Sequence, residues 1–176
     1  MAGGARCLVV VDVQMAMFDP ADPVHDGDAL LARIAALLER ARAAGAPVVF
    51  VQHDGREGSG LAPGEPGHRL HAAVVPLEDE PIVHKTTPDS FFGTELDSVL
   101  RRHGVREIVL CGIQTDLCVD TSCRRAVSLG YDVVLVRDGH STWPRLGLDA
   151  GAIIAHHNDI LCDWFATGQC AAEVRF

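Results

Sequence analysis

Three residues stand where cysteine-based chemistry would need them. Asp12, Lys85 and Cys118 each sit at or just beyond the end of an apolar run. If a helix begins near Thr115-Asp116, Cys118 falls in its first turn, where unpaired N–H groups and the helix dipole favour a thiolate and lower the thiol pKa. Such a thiolate is a competent nucleophile. Asp12 closes the run Val9-Val10-Val11, and a carboxylate there is costly unless it is paired or used. It could accept the thiol proton and later return it to a leaving amine. Lys85, after Ile82-Val83-His84, could stabilise both the thiolate and the ionised Asp12. Gly112 to Cys118 reads as a strand-to-helix turn, which can aim backbone N–H groups at an oxyanion. Taken singly, each has a plainer reading: a helix-facing Cys is more often a small buried residue, an Asp after a strand a turn or cap, and a Lys a solvated side chain.

The elements that must position these residues follow from hydrophobic period. Arg6 to Asp12 is a continuous, β-branched run, as expected of a strand buried on both faces. Leu30, Ile34, Leu37, Leu38 and Ala41 recur at helical spacing, with Asp26 or Asp28 as cap and Gly45 and Pro47 as stop. Val48 to Val51 is the next strand. Thr94 to His103 reads as a helix with Thr94 and Asp97 in capping-box-like positions, followed by the strand Ile108 to Cys111. A third copy runs from the helical segment Asp116 to Leu129 into the strand Tyr131 to Val136. This rhythm implies an α/β class: three layers, a doubly wound and mostly parallel sheet, and one domain over residues 1–176. Ligands in such sheets bind beyond the C-terminal strand ends. There lie Asp12 with Gln14, Gln52 with His53 and Asp54, Lys85, Gly112 to Cys118, and Asp138 with His140, all expected to reach one crevice edge. Residues 54–81, crowded with Gly and Pro in their first half, are either a lid or a surface insertion.

Composition narrows the function. A formal charge of -9 opposes non-specific attraction to nucleic acid or an anionic membrane. The N-terminal stretch matches neither a signal peptide nor a membrane span, and six cysteines without a CxxC pair or compact framework suit a reducing cytoplasm. A small-molecule ligand is the default partner. A nucleotide-binding oxidoreductase would share the fold class, but no GxGxxG follows the first strand and Gly3-Gly4 precede it.

VVVDVQ around Asp12, VFVQHDG around His53, KTTPDSFFGTEL from Lys85, and CGIQTDLCVDTSCRRAVSLGYDVVLVRDGHST occur in that order and nearly span the chain. Together they resemble the isochorismatase-like cysteine hydrolases. No single piece is diagnostic; the GxxTxxCV turn with an upstream DxQ and an intervening Lys is. The resemblance implies an Asp12-Lys85-Cys118 triad, a cis peptide at Ile113-Gln114, and an oxyanion hole from the backbone N–H groups of Gln114 and Cys118. It further implies homodimers or homotetramers. The apolar Ile153, Ile154, Ile160 and Leu161 point the same way, unless they simply cover their own sheet.

Two departures narrow the subclass. Isochorismatases proper lack the nucleophilic Cys, so Cys118 disfavours vinyl-ether hydrolysis. Nicotinamidases carry an Asp-x-His metal motif after the second strand, where this chain has Gln52-His53-Asp54-Gly55. His68 and His71 read as surface residues of the Gly-rich segment, and neither a metal nor another cofactor is expected. The QHDG and PDSF elements resemble the branch containing streptothricin hydrolases, which implies hydrolysis of a C–N bond in a small amide or lactam. Gln14, Phe18, His53, Phe91, Leu117 and Trp143, with Phe92, are the candidate substrate contacts. The rival readings are a metal-assisted nicotinamidase and a non-catalytic binding or assembly module.

Overall fold

A computed structural model describes residues 5–176, so Gly3 and Gly4 lie outside the described residues. Ala5–Val11 (β1), Val48–His53 (β2), Ile82–Lys85 (β3), Val105–Ile113 (β4), Asp132–Ser141 (β5) and Thr167–Gln169 (β6) form one sheet in the order β3-β2-β1-β4-β5-β6. Every pairing in it is parallel. The α/β, doubly wound reading agrees with this architecture. The strands run longer than their apolar cores suggest, and β6 carries too little hydrophobic pattern to be read in advance.

β1 shows why the central strands are apolar throughout. Leu8 and Val10 enter one core, and Cys7, Val9 and Val11 the other. Helix α1, Gly27–Ala43, covers the first face with Leu30, Leu31, Ile34, Leu37, Leu38 and Ala41. Helices α2 (Leu96–Arg102) and α3 (Asp120–Ser128) cover the second, together with Leu161 of α4 (Ala150–Trp164). Truncating a fully buried side chain such as Leu37 to Ala would cost about 2–5 kcal/mol. Asp26 does occupy the cap position of α1, but with φ +49 and no side-chain capping bond. At α2 the Thr94 hydroxyl accepts from Leu96 N, and the helix itself begins only at Leu96.

Strand order reverses between β1 and β4, so a crevice opens beyond the C-terminal ends of these two strands. Gly112 makes their close approach possible. Its φ is +127, and a Cβ there would lie 2.1 Å from the Val11 carbonyl oxygen. Pairing of β4 with β5 also slips at this level, from Leu110↔Leu135 to Gly112↔His140. The slip brings His140 alongside the turn that follows β4.

Residues 54–81 hold only two short 3-10 turns, Pro66–His68 and Ala72–Val74. They are nonetheless tied down. Met15 N donates to Arg69 O at 2.8 Å, His71 N to Val13 O at 2.9 Å, and Arg42 pairs with Glu80 through two bonds of 2.7 and 2.8 Å. At the C-terminal end of the chain, Ile153 and Leu161 pack inward while Ile154 and Ile160 are half-buried and Trp164 is exposed. Part of that apolar surface therefore serves this chain's own core. No helix among the described residues is long and apolar enough to cross a membrane.

Candidate active site

Asp12 leaves β1 in a left-handed conformation, φ +51, which a non-glycine residue rarely adopts. Its backbone N–H donates to Val51 O at 2.9 Å, and its side chain is almost completely buried. Lys85 reaches Asp12 from two strands away, past β2. Its Nζ donates to Asp12 Oδ2 at 2.7 Å, to Cys118 Sγ at 3.1 Å and to Thr87 O at 3.0 Å, so all three ammonium hydrogens have acceptors. The three sequence candidates thus meet at one point, with Lys85 between the carboxylate and the sulfur. Asp12 Oδ1 is buried without a hydrogen-bond partner among the described residues and keeps its lone pairs free.

Cys118 sits in a π-type turn, Thr115–Val119, that precedes α3 rather than in an ordinary first α-turn. The Ile113–Gln114 peptide before it is cis. Leu117 N and Val119 N both donate to Gln114 O, at 3.2 and 3.0 Å. Two side-chain networks brace the turn. Thr115 Oγ1 bonds the buried His140 Nδ1 at 2.8 Å, and His140 Nε2 donates to Asn158 Oδ1 at 3.0 Å. Burial pushes the His140 pKa down to about 4, so the ring is neutral and serves as a strut. Asp116 accepts from Thr142 Oγ1 and pairs with Arg145 Nε at 2.9 Å, while Arg145 Nη2 donates to Gln114 Oε1 at 3.3 Å. Asn158 and Arg145 carry no local motif and escape sequence reasoning.

The electrostatics correct one expectation. Burial, and then the negative charge of Asp12, push the Cys118 thiol up to about 12, against the opposing pull of Lys85. The helix-dipole argument for a lowered pKa considered only the local turn and left out desolvation. Burial likewise raises the Asp12 carboxyl, with Lys85 acting in the opposite sense. A resting thiol beside a carboxylate therefore suits proton transfer during attack better than a standing thiolate.

The expected substrate contacts divide. Gln14 is fully buried and fully engaged: its amide donates to His53 O and His68 O at 3.0 and 2.7 Å and accepts from His53 N at 2.9 Å. It clamps backbone instead of facing a ligand. Phe91 turns towards Tyr131, with ring centroids 6.1 Å apart, and joins the core beneath α2 and α3. Trp143 packs on the α1 side and donates its indole N–H to Asp22 O at 3.0 Å. Phe92 projects into solvent. Leu117 stays partly exposed on the turn beside Cys118. Phe18 lines a cleft of about 650 Å³ with Met15, Asp19, Glu65 and Arg69; this cleft excludes Asp12, Lys85 and Cys118. His53 lies next to the triad, its pKa lowered by burial and by Lys85, with Nδ1 buried and unpartnered among the described residues.

Asp138 and His140 do not reach the crevice edge. Asp138 faces Arg33 and accepts from Ala171 N at 2.7 Å, and His140 is buried. Nor is His68 a surface residue: its side chain is 12% exposed, and Nε2 bonds Asp54 Oδ1 at 2.7 Å. His71 is half-buried, accepts from Ala73 N and leans on Phe18.

With this geometry in place, comparison with known proteins is informative. The Isochorismatase domain family model matches residues 6–153. A streptothricin hydrolase of Streptomyces noursei is 43% identical over 138 residues, covering 78% of this chain and 50% of that protein. The chain thus spans about half the length of this relative. An uncharacterised isochorismatase family protein of Bacillus subtilis is 37% identical over 138 residues, 77% of each chain. The crystal structure of an isochorismatase from Pseudomonas putida superposes with a TM-score of 0.93 at 27% identity, covering 99% of this chain and 93% of that one. A cysteine hydrolase from Pseudomonas syringae gives a TM-score of 0.88 at 27% identity, covering 96% and 89%.

Proposed function

The chain belongs to the isochorismatase family, and from that premise we propose that it is a cysteine-dependent amidohydrolase cleaving a C–N bond of a small amide or lactam. The observation that carries this reading is the single Lys85 ammonium bonded to both Asp12 and Cys118 in a buried setting. That arrangement can hold charge on either partner while a proton moves between them.

In the first half-reaction, Cys118 Sγ bonds to the carbonyl carbon as the thiol proton passes to Asp12. The backbone N–H groups of Gln114 and Cys118 receive the oxyanion. The C–N bond then breaks, and the amine leaves with the proton from Asp12. In the second, water attacks the thioester and gives a proton to Asp12. The C–S bond breaks, and the proton returns to sulfur. Lys85 stays charged throughout and offsets whichever anion is present. His53, which feels the charges of Lys85 and Asp12, and Leu117, the residue before Cys118 on the turn, are the residues we assign to the acyl pocket.

The names of relatives favour C–N chemistry. Beside the streptothricin hydrolase stands a ureidoacrylate amidohydrolase of Rhizobium rhizogenes at 32% identity over 157 residues. The test is a panel of small amides and lactams assayed for amine release, with mass spectrometry of the intact protein for an acyl adduct. An adduct on Cys118, with turnover falling by ~10³-fold or more in a folded Cys118→Ser variant, is the expected outcome. Undiminished turnover in that variant would end the proposal.

A further inference from the structure

Both nitrogens of the buried His140 ring are engaged, and the direction of each bond follows from Asn158 inward. On α4, Asn158 Nδ2 donates to Arg137 O at 2.9 Å, which leaves Oδ1 as the acceptor of that amide. Oδ1 lies 3.0 Å from His140 Nε2, so Nε2 carries the ring proton. A neutral ring protonated there offers only a lone pair at Nδ1. Thr115 Oγ1, 2.8 Å away, is therefore obliged to donate. Thr115 and His140 are 0% and 3% exposed, so water cannot stand in for either partner.

This run of directed bonds joins α4, β5 and the turn after β4. The slip in β5 sets His140 beside Gly112 and Ser141 beside Ile113, so the ring meets the turn at its first residue, Thr115. Gln114 lies just before that residue and Cys118 just after it on the same turn. Resting on the cysteine mechanism above, we propose that His140 and Asn158 are positioning residues: by fixing the direction of the Thr115 hydroxyl, they hold the turn that presents Cys118 and the backbone N–H groups assigned to the oxyanion. Both act through Thr115 and not on the reacting atoms.

The relay works only while the ring is neutral. A proton on Nδ1 removes the lone pair that receives the Thr115 hydroxyl and makes that hydroxyl turn round. Burial keeps this second proton off, helped by His157 and opposed by the Asn158 bond and by Asp138. The other charges around the ring are paired: Arg137 with Glu173, Arg33 of α1 with Asp138, and His25 with Asp26 across the small cavity that His140 lines. Asn158 thus matters as a neutral acceptor, since a carboxylate in its place would draw the second proton onto the ring.

The experiment reads the relay in two ways on the full chain. Long-range proton–nitrogen NMR spectra, with His140 assigned from a His140→Gln variant, should show its ring protonated at Nε2 and bare at Nδ1 at neutral pH. A proton on Nδ1 would overturn the proposal without reference to turnover. Kinetics test the consequence, with Cys118→Ser as the inactive reference that separates a failure of the cysteine mechanism from a failure of the relay. Thr115→Val keeps the shape and loses the hydroxyl; it should lower kcat by ~10–100-fold with KM within about twofold, and Thr115→Ser should restore roughly half of kcat or more. In Asn158→Asp, kcat relative to the parent should fall by ~10-fold or more between about pH 8 and pH 5, as the ring gains its second proton. A kcat within about threefold of the parent in Thr115→Val, or a relative kcat in Asn158→Asp that does not change with pH, would overturn the proposal.

Discussion

Replacing Lys85 by Met removes an ammonium whose side chain is 0% exposed and leaves Asp12, at 2% exposed, without its partner. Breaking a buried pair on one side costs about 3–5 kcal/mol, because the remaining charge is neither solvated nor compensated. For a chain of this length each kcal/mol moves the unfolding midpoint by roughly 2–4 °C, so the variant should melt about 6–20 °C below the parent. The sign of its pH dependence follows from Asp12. Burial already raises this carboxyl in the folded state, and loss of Lys85 raises it further, so the folded chain holds that proton more tightly than the unfolded one. Lowering the pH should therefore recover part of the lost stability. The double variant Lys85→Met/Asp12→Asn removes both charges and should regain at least half of the loss, while turnover stays below ~10⁻³ of the parent in both. Urea denaturation at pH 5 and pH 8, with amide turnover measured in parallel, covers every arm. A single-variant loss below about 1 kcal/mol, or a double variant no more stable than the single, would refute the idea that the pair is buried and mutually dependent.

Turnover should survive exhaustive chelation unchanged, since the triad needs no metal; activity lost on chelation and restored by zinc would favour the nicotinamidase mechanism. Cys7, Cys111, Cys118 and Cys123 all have thiols raised from 9.0 to about 12. Above pH 9 the unfolded chain loses these protons first, so the stability these thiols contribute should be constant below pH 9 and decline as pH rises from 9 towards 12; a midpoint independent of pH between 9 and 12 would contradict the burial of these groups. The half-buried Ile154 and Ile160 and the exposed Trp164 lead us to expect a homodimer or homotetramer joined through the C-terminal third, and a fully active monomer by light scattering at micromolar concentration would exclude it.

What could be read from sequence depended on whether the governing interaction was local. Asp12, Lys85 and Cys118 were legible because each lies at or just beyond the end of an apolar run, and parallel strands deliver their ends to one edge. The slip between β4 and β5 was not legible, and it takes His140 from the edge into the interior. Gln14 has the polarity of a ligand contact, yet its partners His53 and His68 lie 39 and 54 residues away. Phe91 was assigned to the pocket from its neighbours in sequence, whereas Tyr131 decides where its ring goes. His68 looked like a surface residue because the segment around it is rich in Gly, and only the fold places Asp54 and His84 beside it. The thiol of Cys118 is the clearest case, since a dipole is a property of one turn and desolvation is a property of everything around it.

The left-handed backbone of Asp12 has a consequence for anyone diversifying this position. Gly accepts that conformation without penalty and Asn readily, while β-branched residues resist it. A saturation library at residue 12 would therefore sort by foldability before it could sort by chemistry. In dead clones carrying Val or Ile, a backbone penalty of about 1–3 kcal/mol would be mixed with the loss of the carboxylate. Only Asn keeps both the backbone and the shape of the carboxylate, so it alone isolates the missing charge.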